Sequence, residues 1–198
     1  MKLFTIGYSG YEREQFLEAL KAQGVNMVID VRSLPASRYR PEYDKAAIGK
    51  YLLENGIDYC HMAWAFGARW EESRFIGAEG YVDFCLLSES DAFTRGVAKV
   101  VSLTEQGKSC ALMCAEKDAM NCHRSILVAR RFHEMGWKVL HLSPGRIEAH
   151  QELERRLLDL YFPYRFQISL LDEPRDEGEL LKAAYRMQNE KIGFRKEE

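Results

Sequence analysis

Two segments of the chain concentrate residues able to do chemistry. The first is Asp30-Val31-Arg32-Ser33-Leu34-Pro35-Ala36-Ser37-Arg38-Tyr39-Arg40-Pro41, with three arginines, two serines and two prolines. Guanidinium groups recognise phosphate, sulfate or carboxylate through planar, two-pronged hydrogen bonds. The prolines restrict the backbone that carries them. Arg32, Ser33 and Arg38 are therefore candidate anion-binding residues, while Arg40 reads rather as a solvated side chain. Arg32 has a competing role as the partner of a structural carboxylate. Asp30, deep in an apolar run, is expected to orient an arginine.

The second segment is Met113-Cys114-Ala115-Glu116-Lys117-Asp118-Ala119-Met120-Asn121-Cys122-His123-Arg124-Ser125. It supplies candidate catalytic residues: Cys114 and Cys122 as nucleophiles and His123 as a proton carrier. Asn121 is expected to cap a helix that opens at Cys122. Unpaired amides and the macrodipole of a first turn favour an anion, and favour a thiolate over a thiol. Arg124 at a helix start opposes that macrodipole and needs a compensating anion, from a ligand or internally from Glu116. It is thus a further candidate anion holder. Cys110 reads as a small core hydrophobe. Cys114, Cys122 and His123, with Cys60-His61, have ligand chemistry for zinc, but the spacing matches no paired-knuckle pattern, and no metal is predicted. The Cys114–Cys122 spacing is not that of a Cys-x-x-Cys redox motif. No Gly-x-Gly-x-x-Gly fingerprint is present and no cofactor is expected.

A third segment mixes Trp64, Phe66, Trp70, Phe75 and Tyr81 with Arg69 and Arg74. Such a mixture stacks bases in single-strand binders. It serves equally as a lid or hydrophobic plug, which is the expectation adopted.

These side chains must be positioned by alternating short apolar runs and amphipathic stretches, the signature of βαβ units. Strands are predicted at 2–6, 26–31, 57–61, 109–114 and 137–142. Helices are predicted at 12–23, 44–54, 90–106, 122–135 and 146–160. Residues 62–80 read as irregular. The fold class is α/β: a single three-layer domain over 1–160 with a mostly parallel sheet of about five strands flanked by helices. A C-terminal extension over 161–198 is expected to be partly helical with a frayed end. Ligands of open parallel sheets bind beyond the carboxyl ends of the strands. Gly7-Tyr8-Ser9, Arg32-Ser33, Cys60-His61 and Cys114 would all sit on that edge, which adds Tyr8 and Ser9 to the anion-binding candidates.

A chain of 198 residues, 46% hydrophobic and 29% charged, can bury a core without staples. A net charge of −2 argues against a strongly basic nucleic-acid binder, so any anion site is a local patch. No run has the apolar length of a membrane span, and the opening residues turn polar too soon for a secretory signal. A cytoplasmic location and free thiols for the five cysteines are expected.

Thr5-Ile6-Gly7-Tyr8-Ser9, Ile29-Asp30-Val31-Arg32-Ser33 with Pro35 and Ser37-Arg38, Met113-Cys114-Ala115-Glu116-Lys117 and Cys122-His123-Arg124 together resemble an uncharacterised family, domain of unknown function 488. The resemblance runs from Lys2 to about Leu160. It implies an α/β domain and no agreed reaction. A weaker likeness is to rhodanese-type domains, where a strand runs into Asp-Val-Arg and a later strand ends in a cysteine that opens an anion-cradling loop before Arg-Ser. Asp30-Val31-Arg32, Cys114 and Arg124-Ser125 follow that order, with nine residues between Cys114 and Arg124.

The function expected is cysteine-dependent sulfur or phosphoryl transfer on a small anionic or phosphate-containing substrate. One alternative is a nucleic-acid-associated module that holds phosphate without chemistry. Another is a thiol redox or metal-binding protein. Composition leaves the oligomeric state open.

Overall fold

A computed structural model describes residues 1–37, 39–166 and 176–196. Among these, six strands form one sheet: β1 (Lys2–Gly7), β2 (Met27–Asp30), β3 (Asp58–His61), β4 (Cys110–Cys114), β5 (Lys138–Ser143) and β6 (Arg146–Ala149). Their order is β3-β2-β4-β1-β5-β6. Five strands are parallel and β6 returns antiparallel to β5. The helices are α1 (Arg13–Ala22), α2 (Lys45–Glu54), α3 (Ala63–Phe66), α4 (Phe84–Ser88), α5 (Asp91–Glu105), α6 (Arg130–Glu134), α7 (His150–Tyr161) and α8 (Glu177–Ile192).

The strands are apolar on both faces because both are covered. On one side Phe4, Ile6, Val28, Ala111 and Met113 pack against Phe16 and Leu20 of α1 and Ile48 and Leu52 of α2. On the other, Leu3, Ile29, Cys110 and Leu112 pack against Phe66, Phe93, Val100, Phe132 and Leu157 from α3, α5, α6 and α7. The result is a three-layer α/β fold. No helix among the described residues is long and apolar enough to cross a membrane.

β1 and β4 are neighbours, yet β1 leads to α1 on one face and β4 leads towards α6 on the other. Connections that diverge from adjacent strands open a crevice at the carboxyl edge, the usual ligand position in such sheets. Gly7 lies opposite Cys114 in the register, and Asp30 opposite Met113. Gly7, Arg32 and Cys114 therefore share that edge.

Three expectations are corrected. The helix expected over 146–160 begins later, because 146–149 forms β6, a sixth strand on the edge of the sheet. Pro144-Gly145 makes the turn, with Gly145 at φ 72°, and the helix starts only at His150. The helix expected from Cys122 is a 3₁₀ turn at Ala119–Asn121, then a π-helical turn at Arg124–Ala129, then α6. Asn121 does not cap it: Asp118 caps the 3₁₀ turn, accepting from the Met120 amide at 3.0 Å, and His123 precedes the π-helical turn without a side-chain cap. Residues 62–80 are more ordered than expected, with Phe66 set edge-on to Phe93 at 5.4 Å and Trp70 to Phe75 at 5.2 Å. These aromatics plug the core rather than offer a row of stacking faces.

Helix α8, capped by Asp176, packs on α7 and buries Ala184 and Tyr185 in the second core layer.

Candidate functional site

The crevice between β1 and β4 is organised by Arg124, whose side chain is fully buried. Nη1 donates to the Glu116 carbonyl at 2.6 Å, Nη2 to the Lys117 carbonyl at 3.5 Å and Nε to Thr5 Oγ1 at 3.4 Å. The loop after β4 is thus folded back over the end of β1. Gly7 permits this approach: a Cβ there would stand 1.7 Å from the Glu116 carbonyl oxygen. The donors of Arg124 face its own loop, which makes it an organiser of that loop. Its compensating groups are backbone carbonyls, not the Glu116 carboxylate.

That carboxylate turns to the thiols instead. Oε2 of Glu116 lies 3.1 Å from the Cys114 sulfur and 2.9 Å from that of Cys122. Nδ1 of His123 is 3.9 Å from the Cys114 sulfur. Ligand atoms of Cys114, Cys122 and His123 all lie within 4.8 Å of one another. Nε2 of His123 is 3.0 Å from the Val31 carbonyl oxygen. A carbonyl only accepts, so Nε2 carries the hydrogen and Nδ1 faces the thiols. Cys122 and Cys114 are only 1% and 3% exposed, and His123 is half-buried.

Three acidic groups in such contact cannot all ionise together. Burial would push the Cys122 thiol up, but the hydrogen bond from Cys114 and the charges of Arg124 and His123 outweigh it and hold Cys122 well below the ordinary thiol range. The hydrogen bond to Cys122, then burial, raises Cys114 well above it. Burial and the negative charge on Cys122 raise the Glu116 carboxyl. Burial opposes charge on His123, yet its contact with Cys122 leaves the imidazole raised. The cluster therefore favours a Cys122 thiolate beside an imidazolium, with Cys114 and Glu116 retaining their protons more tightly.

The low Cys122 value does not come from helix-start amides, as the sequence suggests. The Asn121 and Cys122 amides are spent on the carbonyls of Asp118 and Ala119, both at 3.2 Å.

Arg32 stands one residue beyond Val31 and is 4% exposed. Its Nε and Nη2 grip Asp30 at 2.9 and 2.6 Å, and Nη2 also donates to the Tyr43 carbonyl at 2.8 Å. Tyr59 donates to Asp30 Oδ2 at 2.6 Å. The structural partner weighed for Arg32 is thus Asp30. Nη1 of Arg32 remains, a buried donor without a partner among the described residues. Ser33 Oγ accepts from the Ala68 and Arg69 amides at 2.9 and 3.0 Å, which fastens the plug to the sheet edge. Tyr8 is stacked on Tyr43 at 4.4 Å. Half-buried Ser9 extends the β1–β4 pairing, its amide donating to the Ala115 carbonyl at 2.9 Å. His61 Nε2 donates to the Arg32 carbonyl at 2.8 Å. Arg38 lies outside the described residues.

Behind Arg124 runs a buried polar chain that sequence reading missed. Thr5 Oγ1 meets His141 Nδ1 at 2.8 Å, and His141 Nε2 meets His150 Nδ1 at 3.0 Å. His150 Nε2 meets the Tyr185 hydroxyl at 2.9 Å, and that hydroxyl donates to Glu154 at 3.0 Å. A threonine and a histidine inside apolar strands were the available signal.

The fold is a mostly parallel α/β sheet with a cluster of two thiols, a carboxylate and an imidazole at its switch point. The model for the family described as "Domain of unknown function DUF488" matches residues 12–130, more than half of the chain, and the chain belongs to that family. Comparison with curated proteins and with solved structures found no match.

Proposed function

We propose that this protein is a cysteine-dependent enzyme of the cytoplasm that transfers sulfur from a small anionic donor, with Cys122 as the nucleophile. The observation that carries the reading is the contact of one Glu116 oxygen with both sulfurs beside His123. Free thiols suit a reducing compartment, and the cysteines are unpaired.

The Cys122 thiolate attacks the outer sulfur of a sulfane donor such as thiosulfate. The donor S–S bond breaks, sulfite leaves with its electron pair, and a Cys122 persulfide forms. An acceptor nucleophile such as cyanide then takes the outer sulfur and restores the thiolate. Where no acceptor arrives, the Cys114 thiol attacks Cys122 Sγ, expels HS⁻ and leaves a Cys114–Cys122 disulfide; Glu116 is placed to pass the Cys114 proton to the leaving sulfide. Nη1 of Arg32, without a partner among the described residues, would meet the anionic part of the substrate.

Phosphoryl transfer is the weaker reading. A phosphoryl group needs a ring of free donors, whereas the Asn121 and Cys122 amides and the Arg124 guanidinium are engaged internally. The order of Asp30-Val31-Arg32, Cys114 and Arg124-Ser125, which resembles that of rhodanese-type domains, favours sulfur, although the strand-end place there falls on Cys114 and the nucleophile proposed here is Cys122.

The test is intact-mass and peptide mapping after incubation with thiosulfate, then with cyanide. A gain of one sulfur on Cys122, lost with release of thiocyanate, is expected. A phosphoryl adduct from a phosphate monoester would replace sulfur by phosphorus. No adduct, together with salt-sensitive retention of single-stranded nucleic acid, would make this a phosphate-holding module. Zinc retained through chelator dialysis, with both thiols closed to reagents, would replace the nucleophile by a metal centre.

A further inference from the structure

The thiol centre is completed from outside the matched segment. Gln188, on α8, is fully buried. Its Nε2 donates to the Met120 carbonyl at 2.8 Å and to Asn121 Oδ1 at 3.1 Å. Its Oε1 accepts from the Tyr161 hydroxyl at 2.6 Å. Both ends of the amide are thus used, and both donors go to the turn that immediately precedes Cys122.

The helix is itself held independently of that turn. The neighbouring Asn189 accepts from the Phe84 amide at 2.8 Å and donates to the Val82 carbonyl at 3.0 Å. One turn earlier, Tyr185 closes the buried chain that begins at Thr5. Gln188 is therefore presented from a fixed platform. On the other side of the turn, Asp118 is held by Arg156 Nη2 at 2.7 Å. Residues 119–121 are pinned between the two tethers. An apolar side chain would fill the Gln188 site without the need to satisfy a buried amide, so its polar bonds are the reason for a glutamine there.

We propose that Gln188 is a positioning residue for Cys122: by fixing Met120 and Asn121 it sets the Cys122 sulfur against Glu116 and His123. The proposal rests on Cys122 being the nucleophile. It makes α8, well beyond residue 130, part of the reaction centre, and a chain cut after α7 lacks a component of the site.

The experiment compares full-length wild type, Gln188→Met and Tyr161→Phe. Methionine keeps the volume and removes the donors; phenylalanine leaves the amide but frees its far end. The readout is the rate of Cys122 alkylation by iodoacetamide against pH, beside the melting temperature. Gln188→Met should move the midpoint of the Cys122 profile upwards, towards that of an ordinary thiol, and slow labelling about tenfold per pKa unit at pH values below that midpoint. Tyr161→Phe should shift it less, in the same direction. A lower melting temperature with an unchanged alkylation profile overturns the proposal and leaves Gln188 a packing residue. If Gln188→Met does not fold, the profile of Tyr161→Phe decides, and no shift there overturns it. Wild-type Cys122 reacting no faster than Cys110 overturns the nucleophile and the proposal together; a reactive wild type with unshifted variants overturns the proposal alone.

Discussion

Nε2 of His123 lies 3.0 Å from the carbonyl oxygen of Val31, so the ring beside Cys114 and Cys122 is anchored to the end of β2. This bond joins the two motif-bearing segments of the chain. It selects the ring nitrogen that faces sulfur, and it brings Arg32 to within one residue of the imidazole's anchor. Four consequences are open to measurement.

Thiol reactivity should be ordered. Cys122 is held below the ordinary thiol value of about 8.5 and Cys114 above it. Alkylation of Cys122 should therefore persist as the pH falls below neutral, and should decline only when the thiolate protonates. Burial raises Cys110, so it should label only as the protein unfolds. Peptide mapping of timed iodoacetamide reactions distinguishes the three, and equal rates at Cys122 and Cys110 would remove the thiolate.

Arg32→Ala should strand Asp30, which is fully buried, without its counter-charge. Breaking a buried pair by removing one partner costs about 3–5 kcal/mol. Urea unfolding should report that loss, and Asp30→Asn in the same chain should recover part of it. A stable Arg32→Ala protein that no longer accepts sulfur from thiosulfate would mean that substrate binding, not the pair, is the main work of the side chain.

Gly7→Ala should displace the loop after β4, since the new methyl would overlap the Glu116 carbonyl that Arg124 holds. Overpacking of this kind costs about 1–3 kcal/mol. The variant should lose sulfur transfer as well as stability, because Glu116 moves with its carbonyl. Full activity in Gly7→Ala would show that the Arg124 clasp is dispensable.

Acid should weaken the fold through the buried histidines. Burial is the main cause that pushes His150 down to about 3, and His141 is also well below its usual value. Unfolded histidine titrates near 6.5. Between these values the unfolded chain binds more protons, so stability falls as pH falls, by about 1.4 kcal/mol per pH unit for each such histidine. Urea midpoints taken from neutral to about pH 5 should trace this slope, and His150→Gln should flatten it. A midpoint that does not move over that range would mean the ring is already charged in the fold.

The shared edge of Gly7, Arg32 and Cys114 was legible in the sequence, because it needs only apolar strands, helical crossovers and the parallel rule. The β6 hairpin was half legible: Pro144-Gly145 is a turn signal, but the helical spacing of 146–160 masked it. What satisfies each charge was not legible. Arg124 is met by carbonyls of its own loop, and a carbonyl has no letter. Glu116 stands two residues from Cys114, yet only the fold turns its carboxylate to both sulfurs. Gln188 reaches Met120 from 68 residues away, and no local pattern announces such a bond. The π-helical turn is equally silent, since it depends on how the chain is wound rather than on its residue types.

That turn has a consequence for assembly. All six residues from Arg124 to Ala129 are buried, so the segment has no wet face and no amphipathic pattern to recommend it as a helix on its own. Its neighbours are β1, β4, α4 and α8, drawn from the whole length of the chain. Its burial therefore depends on all of them. The arrangement of the two thiols beside it thus depends on contacts drawn from the whole chain, so a partly opened molecule should carry Cys114 and Cys122 as ordinary, separate thiols, which ties the proposed chemistry to the completed fold.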